Sequence, residues 1–277
     1  MQDTTFNALA DLALESTGQF IASSKSYLVE ARLSSILRRE GFASCDDLAA
    51  CLKARPNPVL SAEVAAALQT RRTRFFRDND MLERIVGDVL PRKLKLSKAG
   101  RIKIWCAGVS TGEEAFSLAI LLHEQERALR GARIEILATD ICRSALDSAR
   151  AGTFGHYSIQ NGLSVHRLLA YFDELETGQW QANEELRRAI TFRHHNLIDA
   201  EANLGQFDII VCRHVLSGMA KSIRSSVAER LSDSLLPEGL LVLGHGETLT
   251  GISNAFEPSR RHRGGWDAIP AARRVAA

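Results

Sequence analysis

The residues best placed to do chemistry cluster in a few short runs. One is Ala107-Gly108-Val109-Ser110-Thr111-Gly112-Glu113-Glu114, which joins an apolar stretch to a helical one. Its two glycines let the backbone turn sharply and approach a ligand closely, and the helix that follows offers free N–H groups. The spacing is not GxGxxG, so the dinucleotide fingerprint is absent. Glu113 and Glu114 suit the positive end of a helix dipole but would repel a pyrophosphate docked there. An uncharged or cationic ligand fits better. A second run ends in Ala138-Thr139-Asp140, where an acid can pair with both hydroxyls of an adenosine ribose or serve equally well as a helix cap. Asn196-Leu197 and Arg213-His214-Val215 close two further runs.

These runs are positioned by a repeating order of elements. From Arg101 onward short apolar segments alternate with helical ones: RIKIWCAG, EEAFSLAILLHEQERAL, IEILATD, CRSALDSARAG, then AITFRHHNL, FDIIVCRHVL, SIRSSVAERLSDSLL and GLLVLGHGE. Strands alternating with helices predict βαβ units and a mostly parallel sheet covered on both faces. Ligands of such sheets bind outside the carboxyl ends of the strands, near the topological switch point. All the runs above end there. Glycine loop, ribose acid and Asn-Leu together describe an adenosine-plus-amino-acid ligand, for which S-adenosylmethionine is the natural candidate. The stretch of roughly 40 residues before AITFRHHNL is too long for a simple crossover. It holds an inserted helix (HRLLAYFDELETG) and small hairpins around GQWQANEELRRA.

Residues 1 to about 75 read as helices with no strand. Tyr27–Glu40 places Val29, Leu33, Ile36 and Leu37 on one stripe at helical spacing, and Gly41 ends it. Asp46–Ala54 and Leu60–Thr70 are two more short helices, separated by Pro56-Asn57-Pro58. Arg32 and Arg39 share a face of the first of these three, with Arg38 further round. Between Thr70 and Arg77 the chain reads TRRTRFFR, a local basic patch able to position a phosphate, a carboxylate or an acidic partner.

Composition excludes several classes. The 277 residues are 45% apolar and 25% charged, close to globular averages and unlike disordered or collagen-like chains. No window approaches the roughly 18–20 apolar residues of a membrane span, and the N-terminus is acidic where a signal peptide is basic. The net charge of +2 does not argue for general polyanion binding. Five cysteines without CxxC spacing fit neither a disulfide scaffold nor a zinc ribbon, so the chain reads as cytoplasmic. Cys106 and Cys212 lie in buried-looking strands and read as small core residues. His194 and His195, adjacent on a strand, point to opposite faces, and no metal is expected.

At this point the chain resembles the CheR family of chemotaxis receptor (protein-glutamate) O-methyltransferases over nearly its whole length. The most specific match is Trp105–Ser117. Thr17-Gly18, Lys25, Arg32-Leu33, Arg38-Arg39-Glu40-Gly41, Thr73-Arg74-Phe75-Phe76-Arg77, Ala138–Ile141, Asn196-Leu197, Phe207-Asp208, Cys212-Arg213 and Gly244-His245-Gly246-Glu247 follow in the family's order. The resemblance implies an α/β fold: an all-α N-terminal domain (1–75), then a Rossmann-like S-adenosylmethionine-dependent methyltransferase domain (76–277) with a small antiparallel β-subdomain inserted at about 155–190. It implies transfer of a methyl group from S-adenosylmethionine to receptor glutamates, with S-adenosylhomocysteine as product. Cofactor-binding roles fall on Arg71, Thr73, Arg77, Gly108, Glu114, Asp140, Asn196, Leu197, His214 and Val215, and Arg77 is the catalytic candidate. The implied partner is the cytoplasmic helical bundle of chemoreceptors, faced by Arg32, Arg38 and Arg39, with a monomeric enzyme, no nucleic acid and no membrane insertion. A receptor tail could dock on the β-subdomain near Gly178–Glu185.

The chain departs from the family pattern at Arg71, at His214 and at Ser217-Gly218-Met219, where the family has an apolar residue, a tyrosine and a phenylalanine. Arg71 and His214 each stand where the family has asparagine, and Gly218 where it has a tyrosine. Gly218 is expected to leave a void of roughly aromatic size beside the transferred methyl, and hence slow transfer. Rival readings are a catalytically weak or non-catalytic S-adenosylmethionine-binding regulator and a methyltransferase of another substrate. A nucleic-acid methyltransferase lacks support, since no Asp/Asn-Pro-Pro-Tyr follows the fourth strand and no Pro-Cys nucleophile is present. A nicotinamide oxidoreductase would need the missing GxGxxG.

Overall fold

The computed structural model describes residues 1–69, 73–97, 100–129, 131–200 and 203–274. The N-terminal domain packs α1 (Asp3–Thr17), α2 (Ser26–Glu40), α3 (Cys45–Ala54) and α4 (Pro58–Ala67). Ser44 accepts the Asp47 amide and Asn57 the Leu60 amide, so both short helices begin on a side-chain cap. Pro58 follows at the first position of α4, where a missing N–H costs nothing. The apolar stripe Val29, Leu33 and Ile36 of α2 meets Leu9 and Ala13 of α1, Leu48 and Val64 in one buried cluster.

The arginines of α2 are largely committed within this domain. Arg32 donates to the Leu68 carbonyl at the end of α4. Arg39 makes a bidentate pair with Glu63, at 2.6 Å for both bonds, and a further bond of 2.8 Å to Glu40. Among the described residues Arg38 reaches only the Ser34 carbonyl of its own helix. The three do not form a free basic face: Arg32 and Arg39 bind α2 to α4, and Arg38 meets no acid among the described residues.

After this domain, α5 (Asn79–Arg84) runs through a π-turn at Ile85–Val89 into α6 (Leu90–Leu96). The sheet domain follows as β1 (Arg101–Ala107), α7 (Glu113–Glu124), α8 (Glu126–Leu129), β2 (Arg133–Asp140) and α9 (Arg143–Ala151). An insertion holds β3 (Thr153–Phe154), α10 (His156–Gln160), α11 (Val165–Tyr171), β4 (Phe172–Glu174) and β5 (Trp180–Ala182), then α12 (Glu184–Arg188). The chain ends with β6 (Ile190–His194), β7 (Phe207–Val211), α13 (Lys221–Asp233), β8 (Leu235–Val242), β9 (Phe256–Pro258), β10 (Gly265–Ala268) and a last helical turn at Ala271–Arg274.

The seven-stranded sheet has the order β6-β2-β1-β7-β8-β10-β9. β6, β2, β1, β7 and β8 pair in parallel, while β10 lies antiparallel to β8 and to β9. The order reverses between β1 and β7, which is where such sheets bind ligands. Alternate residues of β1 feed opposite cores: Ile102, Ile104 and Cys106 join Phe116 and Ile209 on one face, Trp105 and Ala107 join Phe207 and Leu241 on the other. Cys106 and Cys212 are fully buried, and burial pushes both thiols well above their ordinary range.

The insertion carries its own three-stranded antiparallel sheet, β3-β5-β4. Only the first half of GQWQANEELRRA is hairpin. Asn183 accepts the Leu186 amide and turns the rest into α12. Phe75 ties this subdomain to the inter-domain segment, meeting Phe154 and Phe172 edge-on with ring centroids at 4.9 and 5.6 Å. Gly162 allows the backbones to close up. It sits at φ +107°, and a Cβ there would lie 2.0 Å from the Phe75 carbonyl oxygen. Gly162→Ala should therefore lose more than the roughly 1–3 kcal/mol of backbone strain alone, read as a lower urea midpoint at unchanged slope; an unchanged midpoint would mean that this contact is not held in solution.

Candidate functional site

The turn after β1 and the one after β2 are locked to each other by Asp140. One carboxylate oxygen accepts the Ser110 amide at 2.7 Å and the other the Cys142 amide at 2.8 Å. The amides of Gly108 and Val109 both donate to the Thr139 carbonyl. Gly108 has φ +78°, and a Cβ there would stand 2.5 Å from Val215 Cγ2, so only glycine lets the β7 loop cross this close. Beyond these turns opens a cavity of about 380 Å³ at the carboxyl edge of the sheet, within the size range of small-molecule sites.

Behind the cavity lies a buried charge set. The Arg213 side chain is 0% exposed and donates to Glu114 at 2.7 Å, to the carbonyls of Arg77 and Asp78, and pairs with the Asp78 carboxylate at 3.3 Å. His214 Nε2 donates to the same Asp78 oxygen at 2.8 Å. Burial works to raise the Asp78 carboxyl, yet the His214 bond and the Arg213 charge hold it below its ordinary value. Burial pushes the Glu114 carboxyl up, and the nearby Arg213 and Arg77 guanidiniums offset only part of that. Ser110 and His214 on the cavity wall, and Phe76 and Asp78 in the neighbouring segment, all have positive φ; non-glycine residues held this way concentrate at functional sites.

The segment Thr73–Arg77 is oriented by its aromatics. Phe75 is fully buried and the Phe76 amide donates to Ser117 Oγ at 2.9 Å, while Arg167 stacks over the Phe76 ring at 4.1 Å. Thr73, Arg74 and Arg77 are thereby left lining the cavity.

Of the residues singled out from sequence, Thr73, Arg77, Gly108, Glu114, Asp140, His214 and Val215 meet around this one cavity. Arg71 lies outside the described residues. Asn196 and Leu197 are not brought to it. Asn196 donates to the Ser16 carbonyl at 2.8 Å and lines a separate cleft between the domains, and Leu197 lines a third cavity beside His195 and Arg230. The chain turns away after β6: His195 is buried edge-on against Trp105, while His194 bonds the Ile141 carbonyl.

The void expected beside Gly218 is not there. The Gln19 carboxamide fills it, standing 2.8 Å from where a Gly218 Cβ would be and donating to the Gly218 carbonyl at 2.9 Å. No aromatic ring is needed there: Phe75 and Phe76 are buried in the inter-domain segment and Tyr157 is 81% exposed. Gln19 reaches the site because the end of α1 pairs with the β7 loop. Gln19 and Met219 form an antiparallel bridge, flanked by Phe20 amide to Gly218 carbonyl and Ala220 amide to Gly18 carbonyl, each 3.0 Å. Glu247, which motif reading names in the run Gly244-His245-Gly246-Glu247 without giving it a role, is the other residue that fixes this loop. Its carboxylate collects the amides of His214, Ser217 and Gly244, which pins the β7 loop. Its signal was an acid three residues after Gly244; Gln19 left none, being 199 residues from its partner.

Residues 71–264 match the family described as CheR methyltransferase, SAM binding domain, and residues 4–69 match CheR methyltransferase, all-alpha domain. The chain belongs to the CheR methyltransferase family. Among curated CheR relatives, the chemotaxis protein methyltransferase Cher2 of Pseudomonas putida is 32% identical over 243 residues, covering 87% of this chain and 88% of its own. Chemotaxis protein methyltransferase 1 of Pseudomonas aeruginosa is 34% identical over 248 residues, covering 88% and 90%. CheR membership makes the strand-edge cavity part of an S-adenosylmethionine-dependent methyltransferase domain.

Glu113, next to the buried charge set, has no ion pair among the described residues. Burial raises its carboxyl above the ordinary range, and hydrogen bonds from Thr111 and Thr73 pull it only part of the way back. The folded chain therefore holds this proton more tightly than the unfolded chain, and stability is lost as pH rises from about 4.3 through the raised value. Glu113→Gln should match wild type near pH 4 and gain on it toward pH 7 in thermal melts; a difference independent of pH would contradict the assignment.

Proposed function

We propose that the chain transfers the methyl group of S-adenosylmethionine to glutamate side chains of chemoreceptors, giving γ-glutamyl methyl esters. The observation that carries this reading is the sorting of charge around one cavity. Carboxylates, Glu114 and Asp140, lie on the side of the glycine turn, and cations, Arg74 and Arg77, lie on the inter-domain side. The donor set suits the cofactor: with Arg213 committed to Glu114 and Asp78, the acids at the glycine turn favour a cationic sulfonium ligand with an α-ammonium group. Asp140 would hold the ribose, Glu114 the α-ammonium, and Thr73, Gly108, His214 and Val215 the remaining walls. Arg71, Asn196 and Leu197 stay with the site on the family resemblance alone. The bound cofactor supplies an electrophilic methyl group.

The rest is positioning. A glutamate with an ordinary pKa of about 4.3 is already ionised at neutral pH, so it needs no general base, and Arg77 would orient its carboxylate for in-line attack. Gln19 closes the wall at Gly218, so a void there is not a ground for slow transfer. A cytoplasmic setting is supported by five free cysteines and by the lack, among the described residues, of any helix long and apolar enough to cross a membrane. Arg39 is paired with Glu63 and Arg32 is tied to the Leu68 carbonyl, whereas Arg38 meets no acid among the described residues, so a contact through α2 would centre on it.

Incubation with methyl-tritiated S-adenosylmethionine and a soluble receptor cytoplasmic fragment should label the fragment, and mild alkali should release the label as volatile methanol. Label that resists alkali would mean another acceptor. In Asp140→Ala, S-adenosylhomocysteine affinity by calorimetry should fall by about 10- to 150-fold, the equivalent of 1.5–3 kcal/mol for charge-assisted bonds; unchanged affinity would remove Asp140 from the site.

A further inference from the structure

We propose that Gln19 is a positioning residue for the transfer: its carboxamide, reaching across from the helical domain, fixes the cavity wall at Ser217–Met219 and closes that wall to the acceptor carboxylate. Residue 218 is a glycine on its account. The role rests on the proposed transfer of a methyl group to a carboxylate. Gln19 borders the cavity together with Gly218, Glu114, Asp140 and His214.

The carboxamide and Gly218 fit each other closely. A Cβ at Gly218 would stand 2.8 Å from both Nε2 and Oε1 of Gln19 and 3.2 Å from its Cδ, so the amide group lies against the glycine with no room for a methyl between them. The backbone does not demand glycine here. Gly108 has φ +78°, whereas Gly218 is not among the glycines of positive φ, so at 218 a side chain is excluded by contact and not by conformation.

The hydrogen bonds fix which way the amide faces. Nε2 donates to the Gly218 carbonyl at 2.9 Å and to the Phe20 carbonyl at 3.3 Å, which uses both of its protons. The Phe20 amide donates to the same Gly218 carbonyl at 3.0 Å, so two groups of the helical domain hold this one oxygen. Within its own segment Gly218 makes a single long bond, 3.3 Å from its amide to the Val215 carbonyl. Oε1 of Gln19 is left as an acceptor with no donor among the described residues. An acceptor on this wall repels a carboxylate, while Arg74 and Arg77 line the cavity from the inter-domain segment; one wall refuses the carboxylate and another receives it. The groups assigned to the cofactor are held independently. Asp140 is fixed by the Ser110 and Cys142 amides and Glu114 by Arg213. Loss of the carboxamide should therefore disturb the geometry of transfer far more than cofactor affinity.

The test uses the full chain with methyl-tritiated S-adenosylmethionine and a soluble receptor cytoplasmic fragment, alongside calorimetry with S-adenosylhomocysteine and urea melts. Gln19→Ala should lower kcat by about tenfold or more, with S-adenosylhomocysteine affinity within about threefold of wild type, which also reports that the variant is folded. Gln19→Met refills the space without an amide and should not restore kcat. In urea, Gly218→Ala should lower the midpoint in the wild-type background and add little in Gln19→Ala, because the two changes remove the same contact. Wild-type kcat in Gln19→Ala, or its recovery in Gln19→Met, would overturn the positioning role. A fall in S-adenosylhomocysteine affinity as large as the fall in kcat would also overturn it and make Gln19 a binding residue. Additive midpoint losses would overturn the pairing of Gln19 with Gly218. No transfer by the wild type would defeat the proposed reaction and this role with it, whereas robust wild-type transfer that is indifferent to Gln19 would defeat the role alone.

Discussion

The architecture of the site depends on one buried cation. Arg213 leaves the end of β7 and places its guanidinium, fully shielded from solvent, where the sheet, the start of α7 and the inter-domain segment meet. Moving an isolated charge into such a place costs several kcal/mol, and it is tolerable only if several elements bring acceptors to it at once. Glu114 comes from the first turn of α7, two carbonyls and a carboxylate come from Arg77 and Asp78, and Asp78 extends the set to His214. The positive φ values of Asp78 and His214 follow from the same demand, since both backbones bend to present these groups. Three segments far apart in sequence are registered to one another by one side chain.

That registration explains how a helical domain becomes part of a cavity at the sheet edge. With the β7 loop pinned by Arg213 on one side and by the Glu247 carboxylate on the other, its next residues present a fixed edge, and the end of α1 pairs with it. The pairing brings Gln19 against Gly218 and sets Phe20 and Lys25 on the cavity lining. Glu114 and Asp140 enter the cavity lining from the turns after β1 and β2, and Arg74 and Arg77 enter it from the inter-domain segment.

Much of this was legible in the sequence because it is local. The stripe of Val29, Leu33 and Ile36, the Asn57-Pro58 start of α4, the alternation in Ile102–Ala107 and the glycine turn each need only a few consecutive residues to be recognised. Asp140 was legible as a polar group at a strand end, though not its two bonds to backbone amides. What stayed hidden depends on long-range closure. Gly218 predicts a void only if nothing arrives from outside its own segment, and Gln19 arrives from 199 residues away. Arg32, Arg38 and Arg39 look alike on a helical wheel; that two of them are spent on Glu63 and the Leu68 carbonyl depends on how α4 packs. Asn196 belongs to a recognisable run, yet the direction its side chain takes is decided by the Ser16 carbonyl of the helical domain.

The most direct measurement is a double-mutant cycle in urea on Arg213→Met, Glu114→Gln and the pair. If the buried charge set assembles the chamber, Arg213→Met alone costs about 3–5 kcal/mol because Glu114 is left buried without its cation, and adding Glu114→Gln restores a substantial part of that loss. Additive losses, or a cost below about 1 kcal/mol for Arg213→Met, within the usual range for an exposed pair, would show that the chamber does not depend on this charge.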